Sequence, residues 1–105
     1  MTRAAALAVV LLWAVPADAA ETARVGIDRM RFQPAAVTVK AGTTVAWVND
    51  EKRTSHSVFF ETEGLAESER LLPGDSWQRK FERPGRYAYR CGPHPEMIGV
   101  VEVVP

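Results

Sequence analysis

Gly85-Arg86-Tyr87-Ala88-Tyr89-Arg90-Cys91-Gly92-Pro93-His94-Pro95-Glu96-Met97 is the stretch that decides how this chain is read. Its first half alternates. Tyr87, Tyr89 and Cys91 recur at every second position, which puts them on one face of a strand with Cys91 at its end. The second half can be neither strand nor helix, because Pro93 and Pro95 fix φ and donate no N–H. It reads as a short, stiff loop holding the only cysteine of the chain and one of its two histidines. A thiolate, an imidazole and a thioether in that order are soft and borderline ligands, the set that suits copper cycling between Cu(I) and Cu(II). One more nitrogen has to come from elsewhere in the fold, and His56 is the only histidine left to supply it.

The flanking sequence keeps the same short period. Arg83-Pro84-Gly85 turns the chain into the tyrosine strand, and residues 98–104 form a last apolar strand behind the loop. Upstream, Val25 and Ile27, with Met30 after them, begin a strand. Ala36-Val37-Thr38-Val39-Lys40 alternates and turns at Ala41-Gly42. Residues 43–49 alternate again, with Val45 and Trp47 on one face. A polar loop over 50–55 leads into His56-Ser57-Val58-Phe59-Phe60. Pro73-Gly74-Asp75 is a turn, and Trp77 and Phe81 mark one face of the strand after it. Short strands rich in β-branched and aromatic residues, with turns at regular intervals, predict an all-β domain, a sandwich or a small barrel. Two places fit less well. Arg79 shares a face with Trp77 and Phe81, where its stem is expected to lie on an aromatic ring at a sheet edge. Residues 61–72 carry Glu61, Glu63, Glu67 and Glu69 with little alternation, which reads as a solvated loop or one helical turn rather than an acidic docking patch.

Length and charge narrow the classes further. At 105 residues the chain has room for one domain. Arg3, an apolar run from Ala4 to Val15 and the small residues Ala17-Asp18-Ala19 have the layout of a secretory leader. Cleavage after Ala19 leaves a domain over residues 20–105; the alternative is an uncleaved N-terminal anchor. A second arginine for a twin-arginine signal is missing, which favours the general secretory route. Thirteen basic residues against thirteen acidic ones argue against nucleic acid or a charged membrane surface as partner. A domain this small is helped by a bound metal or a cross-link. One cysteine cannot make an internal disulfide, and a lone thiol in an oxidising compartment is safe only when buried or bound.

Each candidate ligand has a plainer reading beside the metal one. Cys91 could be a buried structural thiol, or a nucleophile with His94 or His56 as base. Against the enzyme reading, nothing in the sequence supplies an orienting third group or oxyanion donors. His94 could be a surface histidine, although its spacing between Cys91 and Met97 favours a ligand. Met97 could be core, or the weak axial ligand of a trigonal site. His56 sits where a polar loop meets an apolar strand, and could be an exposed loop histidine.

Taken with these residues, the chain resembles the cupredoxins, the type 1 blue copper proteins, and most the amicyanin branch of the plastocyanin-like family. The resemblance is carried by Phe32-x-Pro34, Val37-Thr38-Val39-Lys40-Ala41-Gly42, Val45-x-Trp47-Val48-Asn49, His56-Ser57-Val58 and Gly85-x-Tyr87-x-Tyr89-x-Cys91, and most specifically by the short ligand loop from Cys91 to Met97. It implies a Greek-key β-sandwich of seven or eight strands holding one copper per chain through His56, Cys91, His94 and Met97. Two positions depart from it. Ser57 stands where the family often has the asparagine that ties the two ligand loops together. Glu96 stands where amicyanins usually carry phenylalanine, which argues against a methylamine-dehydrogenase-type partner.

The function this predicts is one-electron, outer-sphere transfer by a monomeric periplasmic carrier between exported redox proteins, such as a dehydrogenase and a c-type cytochrome. It would make and break no bonds, bind no nucleic acid, and leave the membrane once its leader is removed. The rival from another class is a periplasmic copper carrier or storage protein that hands over the ion itself.

Overall fold

The computed structural model describes residues 21–105; the predicted leader and its cleavage point lie outside the described residues. Seven strands follow in order: β1 (Thr22–Asp28), β2 (Arg31–Gln33), β3 (Ala36–Lys40), β4 (Thr43–Asn49), β5 (Ser76–Phe81), β6 (Gly85–Arg90) and β7 (Ile98–Val104). They form two sheets, ordered β2-β1-β4-β5 and β3-β7-β6. β1 runs parallel to β4 and β3 parallel to β7, so the chain crosses between sheets after β2, after β3 and after β5. This is the Greek-key sandwich expected. No helix among the described residues is long and apolar enough to cross a membrane.

Alternation places the core. In β4, Thr43, Val45, Trp47 and Asn49 are all buried and the residues between them are half-exposed. Trp47 comes from one sheet and Tyr89 from the other, and they meet edge to face with ring centroids 5.3 Å apart. Phe60, Trp77 and Phe81 complete the cluster around the indole. Offset and edge-to-face contacts of this kind suit the charge distribution of aromatic rings. Truncating a buried tryptophan costs about 3–5 kcal/mol, a large share of the roughly 5–15 kcal/mol that holds a small domain folded. Tyr89 lies flat against β7: a Cβ at Gly99 would fall 2.3 Å from its ring, so only glycine fits opposite it. The Tyr89 hydroxyl and the Trp47 indole N–H are both buried without a hydrogen-bond partner. Burial pushes the phenol up to about 12, against a smaller opposing pull from that indole N–H.

Two sequence expectations are modified, and a third, one helical turn within residues 61–72, is met. Met30 does not extend the first strand; Arg29 and Met30 both have positive φ and form the turn between β1 and β2, leaving Met30 exposed and Phe32 to fill the core. Residues 56–60 are not a ladder strand. His56 pairs with Leu71 on one side and Phe59 with Arg90 on the other, so the segment spends its hydrogen bonds bridging a loop to the free edge of β6. Residues 61–72 hold one 3-10 turn, Glu61–Glu63, closed by Gly64 in the left-handed conformation. Arg79 behaves as expected. Its guanidinium stacks 4.5 Å from the centroids of both Phe60 and Phe81, and two of its nitrogens bind the Glu63 carboxylate at 2.7 and 2.8 Å.

Candidate metal centre

Cys91 leaves the end of β6 pointing inward, as period two from Tyr87 and Tyr89 requires, and is fully buried. The loop after it closes on itself. The amide of Cys91 donates to the Met97 carbonyl and the amide of Met97 to the His94 carbonyl, both at 2.9 Å. The two flanking prolines carry no N–H, so these two bonds and the restricted φ values set the loop's shape. His56 arrives from the other sheet's side, held by reciprocal main-chain bonds with Leu71 of 3.0 and 2.7 Å.

Three of the four predicted residues present donor atoms to one another. Cys91 Sγ lies 3.8 Å from His56 Nδ1 and 3.6 Å from His94 Nδ1, and the three donor atoms all fall within 4.8 Å. Metal–sulfur and metal–nitrogen bonds of about 2.3 and 2.0 Å, as at zinc, meeting near 120° would set sulfur and nitrogen about 3.7 Å apart. The spacing thus fits an ion held between the three side chains. His56 and Cys91 are buried, while His94 is only half-buried. Met97 is buried where the loop rejoins β7, packed into the core cluster beside Cys91.

The electrostatics favour a neutral imidazole at His56. Burial lowers its pKa, and His94 beside it lowers it further, against an opposing pull from Glu51. A neutral ring offers Nδ1 as a ligand and leaves the N–H on Nε2. Nε2 is buried with no bond of good geometry. The nearest acceptor is Glu51 Oε1 at 3.4 Å, and that oxygen is already engaged by the Met30 amide at 2.8 Å.

The surroundings of the sulfur come from both segments. The Ser57 amide donates to Cys91 Sγ at 3.4 Å, and the Gly92 amide donates to Ser57 Oγ at 2.8 Å. Ser57 therefore makes the link between the two ligand segments in spite of its short reach. Arg90 adds a clamp: its Nη1 donates to the carbonyls of Cys91 and Gly92, both at 3.1 Å.

Asn49 is a site residue that the sequence reading passed over. It is fully buried, donates to the carbonyls of Thr54 and Leu71 at 2.8 and 2.9 Å, and accepts from the Glu51 amide at 3.0 Å. It thereby fastens the whole loop that delivers His56. The signal was available, since Asn49 lies at period two from Val45 and Trp47 and so on the buried face.

Comparison with known proteins bears on the family and the cofactor. The profile of copper binding proteins of the plastocyanin/azurin family matches residues 19–104. Amicyanin-alpha of Methylorubrum extorquens is 40% identical over 103 residues, covering 94% of this chain and 86% of its own. The reduced Cu(I) form of an amicyanin variant at pH 4 superposes with a TM-score of 0.74 at 31% identity, covering 79% of this chain and 82% of that one. A copper-containing nitrite reductase from Thermus scotoductus superposes with a TM-score of 0.72 at 25% identity, but this chain spans only 22% of it. The cofactor is copper, one ion per chain. With the profile spanning every strand of the sandwich and amicyanins similar in both sequence and structure, the chain belongs to the plastocyanin/azurin family of copper binding proteins.

Proposed function

We propose that this protein is a soluble periplasmic electron carrier, and that His56, Cys91, His94 and Met97 hold its copper. The observation that carries the proposal is the buried Cys91 sulfur flanked at 3.6 and 3.8 Å by the Nδ1 atoms of two imidazoles. Copper, when bound, supplies a one-electron couple between Cu(I) and Cu(II).

The protein's part is to hold the donors still and give electrons one way in. Stillness comes from the loop bonds between Cys91, His94 and Met97, from the stiff prolines, and from the Asn49 and Leu71 bonds that fix His56. Access comes at His94, the one partly exposed member of the three, with Pro93, Pro95 and Glu96 exposed around it. An exposed carboxylate on that rim selects partners whose contact face is not wholly apolar. Met97 would add its thioether, a weak donor, to the residues that hold the copper. Partners are exported redox proteins, such as a dehydrogenase and a c-type cytochrome, met in small transient encounters. Export follows from the leader over residues 1–19.

Burial of His56 and Cys91 works against the rival reading, in which the ion itself is handed on, because release requires the sandwich end to open. Adding Cu(II) to residues 20–105 should produce an intense thiolate-to-copper visible band. Cys91→Ser should abolish it, and Met97→Leu should keep copper while changing the reduction potential. Mixing the loaded protein with a reduced cytochrome should move electrons and leave copper in place. Copper transfer without electron exchange would support the carrier reading, and a colourless adduct would end the proposal.

A further inference from the structure

The acidic segment after Phe60 has no part in the proposed function, yet two of its carboxylates, Glu61 and Glu67, turn toward the metal loop. Glu61 accepts from Arg90 Nε at 2.7 Å, the same arginine that clamps the Cys91 and Gly92 carbonyls. Arg90 in turn holds the Glu61 carboxyl below its usual range. Glu67 goes further in. Its Oε1 accepts from the Ser57 hydroxyl at 2.6 Å, a short charge-assisted bond. A hydroxyl has one proton. With that proton committed to Glu67, Ser57 Oγ meets the Gly92 amide with a lone pair, which is what a donating N–H requires. The Gly92 amide can only donate, so the carboxylate's part is to hold in place the hydroxyl whose lone pair receives it. The carboxylate also fills the space opposite Gly92: a Cβ there would fall 1.6 Å from Glu67 Oε1 and 2.8 Å from Ser57 Oγ. Glycine at that position is what admits the carboxylate.

We propose that Glu67 is a positioning residue for the copper centre, acting through Ser57 to lock the His56 segment to the Cys91 loop and to keep the Ser57 amide on the cysteine sulfur. The effect on copper rests on the function proposed above; the lock itself belongs to the protein without metal. Hydrogen bonds to the cysteine sulfur tune a blue-copper potential. An N–H dipole aimed at sulfur favours the state carrying the extra electron, so releasing it lowers the potential. Glu67→Ala and Glu67→Gln remove the same charge, but only the glutamine keeps an acceptor for the Ser57 hydroxyl.

The test uses E67A, E67Q, S57A and the double variant S57A/E67A. In metal-free protein, hydrogen exchange of the Gly92 amide should be about tenfold faster in E67A and S57A, as for loss of one charge-assisted bond. E67Q should stay near wild type, and the double variant should exchange no faster than S57A, because the two groups act in series. In copper-loaded protein, the potential of E67A should fall below that of E67Q. Unchanged Gly92 exchange in E67A, equal behaviour of E67A and E67Q, or additive effects in the double variant would each overturn the proposal. Should wild-type protein show no blue band, the function proposed above fails, while Gly92 exchange still decides whether the lock exists.

Discussion

Asn49→Ala is the perturbation whose size the structure defines best. The side chain is fully buried and makes three hydrogen bonds, two as donor to the carbonyls of Thr54 and Leu71 and one as acceptor from the Glu51 amide. Alanine removes all three, leaving the Thr54 carbonyl and the Glu51 amide without partners while the Leu71 carbonyl keeps the His56 amide. At about 1 kcal/mol for each of the three hydrogen bonds lost, the destabilisation is about 3 kcal/mol. For a domain of this size that is a fall in Tm of roughly 12–24 °C, or a drop in urea midpoint on the order of 2 M. Unfolding of metal-free protein in urea, followed by tryptophan fluorescence, measures it. Asn49→Asp tests the mechanism. It keeps an acceptor for the Glu51 amide but aims a carboxylate at two carbonyls, so it should be no more stable than the alanine variant. Because the same bonds hold the loop that delivers His56, the gain in Tm on adding copper should also shrink, since that gain reports affinity for the folded state. A loss under about 1 kcal/mol for Asn49→Ala, or an aspartate variant as stable as wild type, would show that water or loop rearrangement replaces these bonds and that the reasoning is wrong.

Other outcomes follow from single contacts. Tyr89 ionises near 10 when unfolded and at about 12 when folded, so the unfolded chain binds fewer protons in between. Stability is therefore lost as pH rises from 10 to 12, by up to about 3 kcal/mol; alkaline urea titrations of wild type and Tyr89→Phe should diverge only in that window. At neutral pH Tyr89→Phe should cost little, because the hydroxyl it deletes has no partner; a large loss would reveal a bond to that oxygen. Arg79→Lys gives up both the two-pronged pair with Glu63 and the stacking between Phe60 and Phe81, and should destabilise by about 1 kcal/mol in thermal melts. Gly99→Ala should cost about 1–3 kcal/mol, since Tyr89 has no room to retreat.

Much of this protein was written in short-range pattern. Period two fixed which way Val45, Trp47, Tyr89 and Cys91 point, because a strand sends neighbours to opposite faces whatever it pairs with. Proline placement and ligand spacing made the Cys91 loop legible for the same local reason. The pairing of strands was not local. That β1 lies parallel to β4 and β3 parallel to β7 depends on contacts between distant segments, which no window of residues contains. The conversion of residues 56–60 from a strand to a bridge has the same origin, since Leu71 and Arg90 compete for its main chain from opposite sides. Side-chain partnership was the least visible. Glu51 beside His56, Glu67 on Ser57 and Arg90 over the Cys91 carbonyl are ordinary charged residues in the sequence. Hydrogen bonds act over about 3 Å, so only the tertiary fold, by bringing those segments within reach, gives these charges a role at the metal centre.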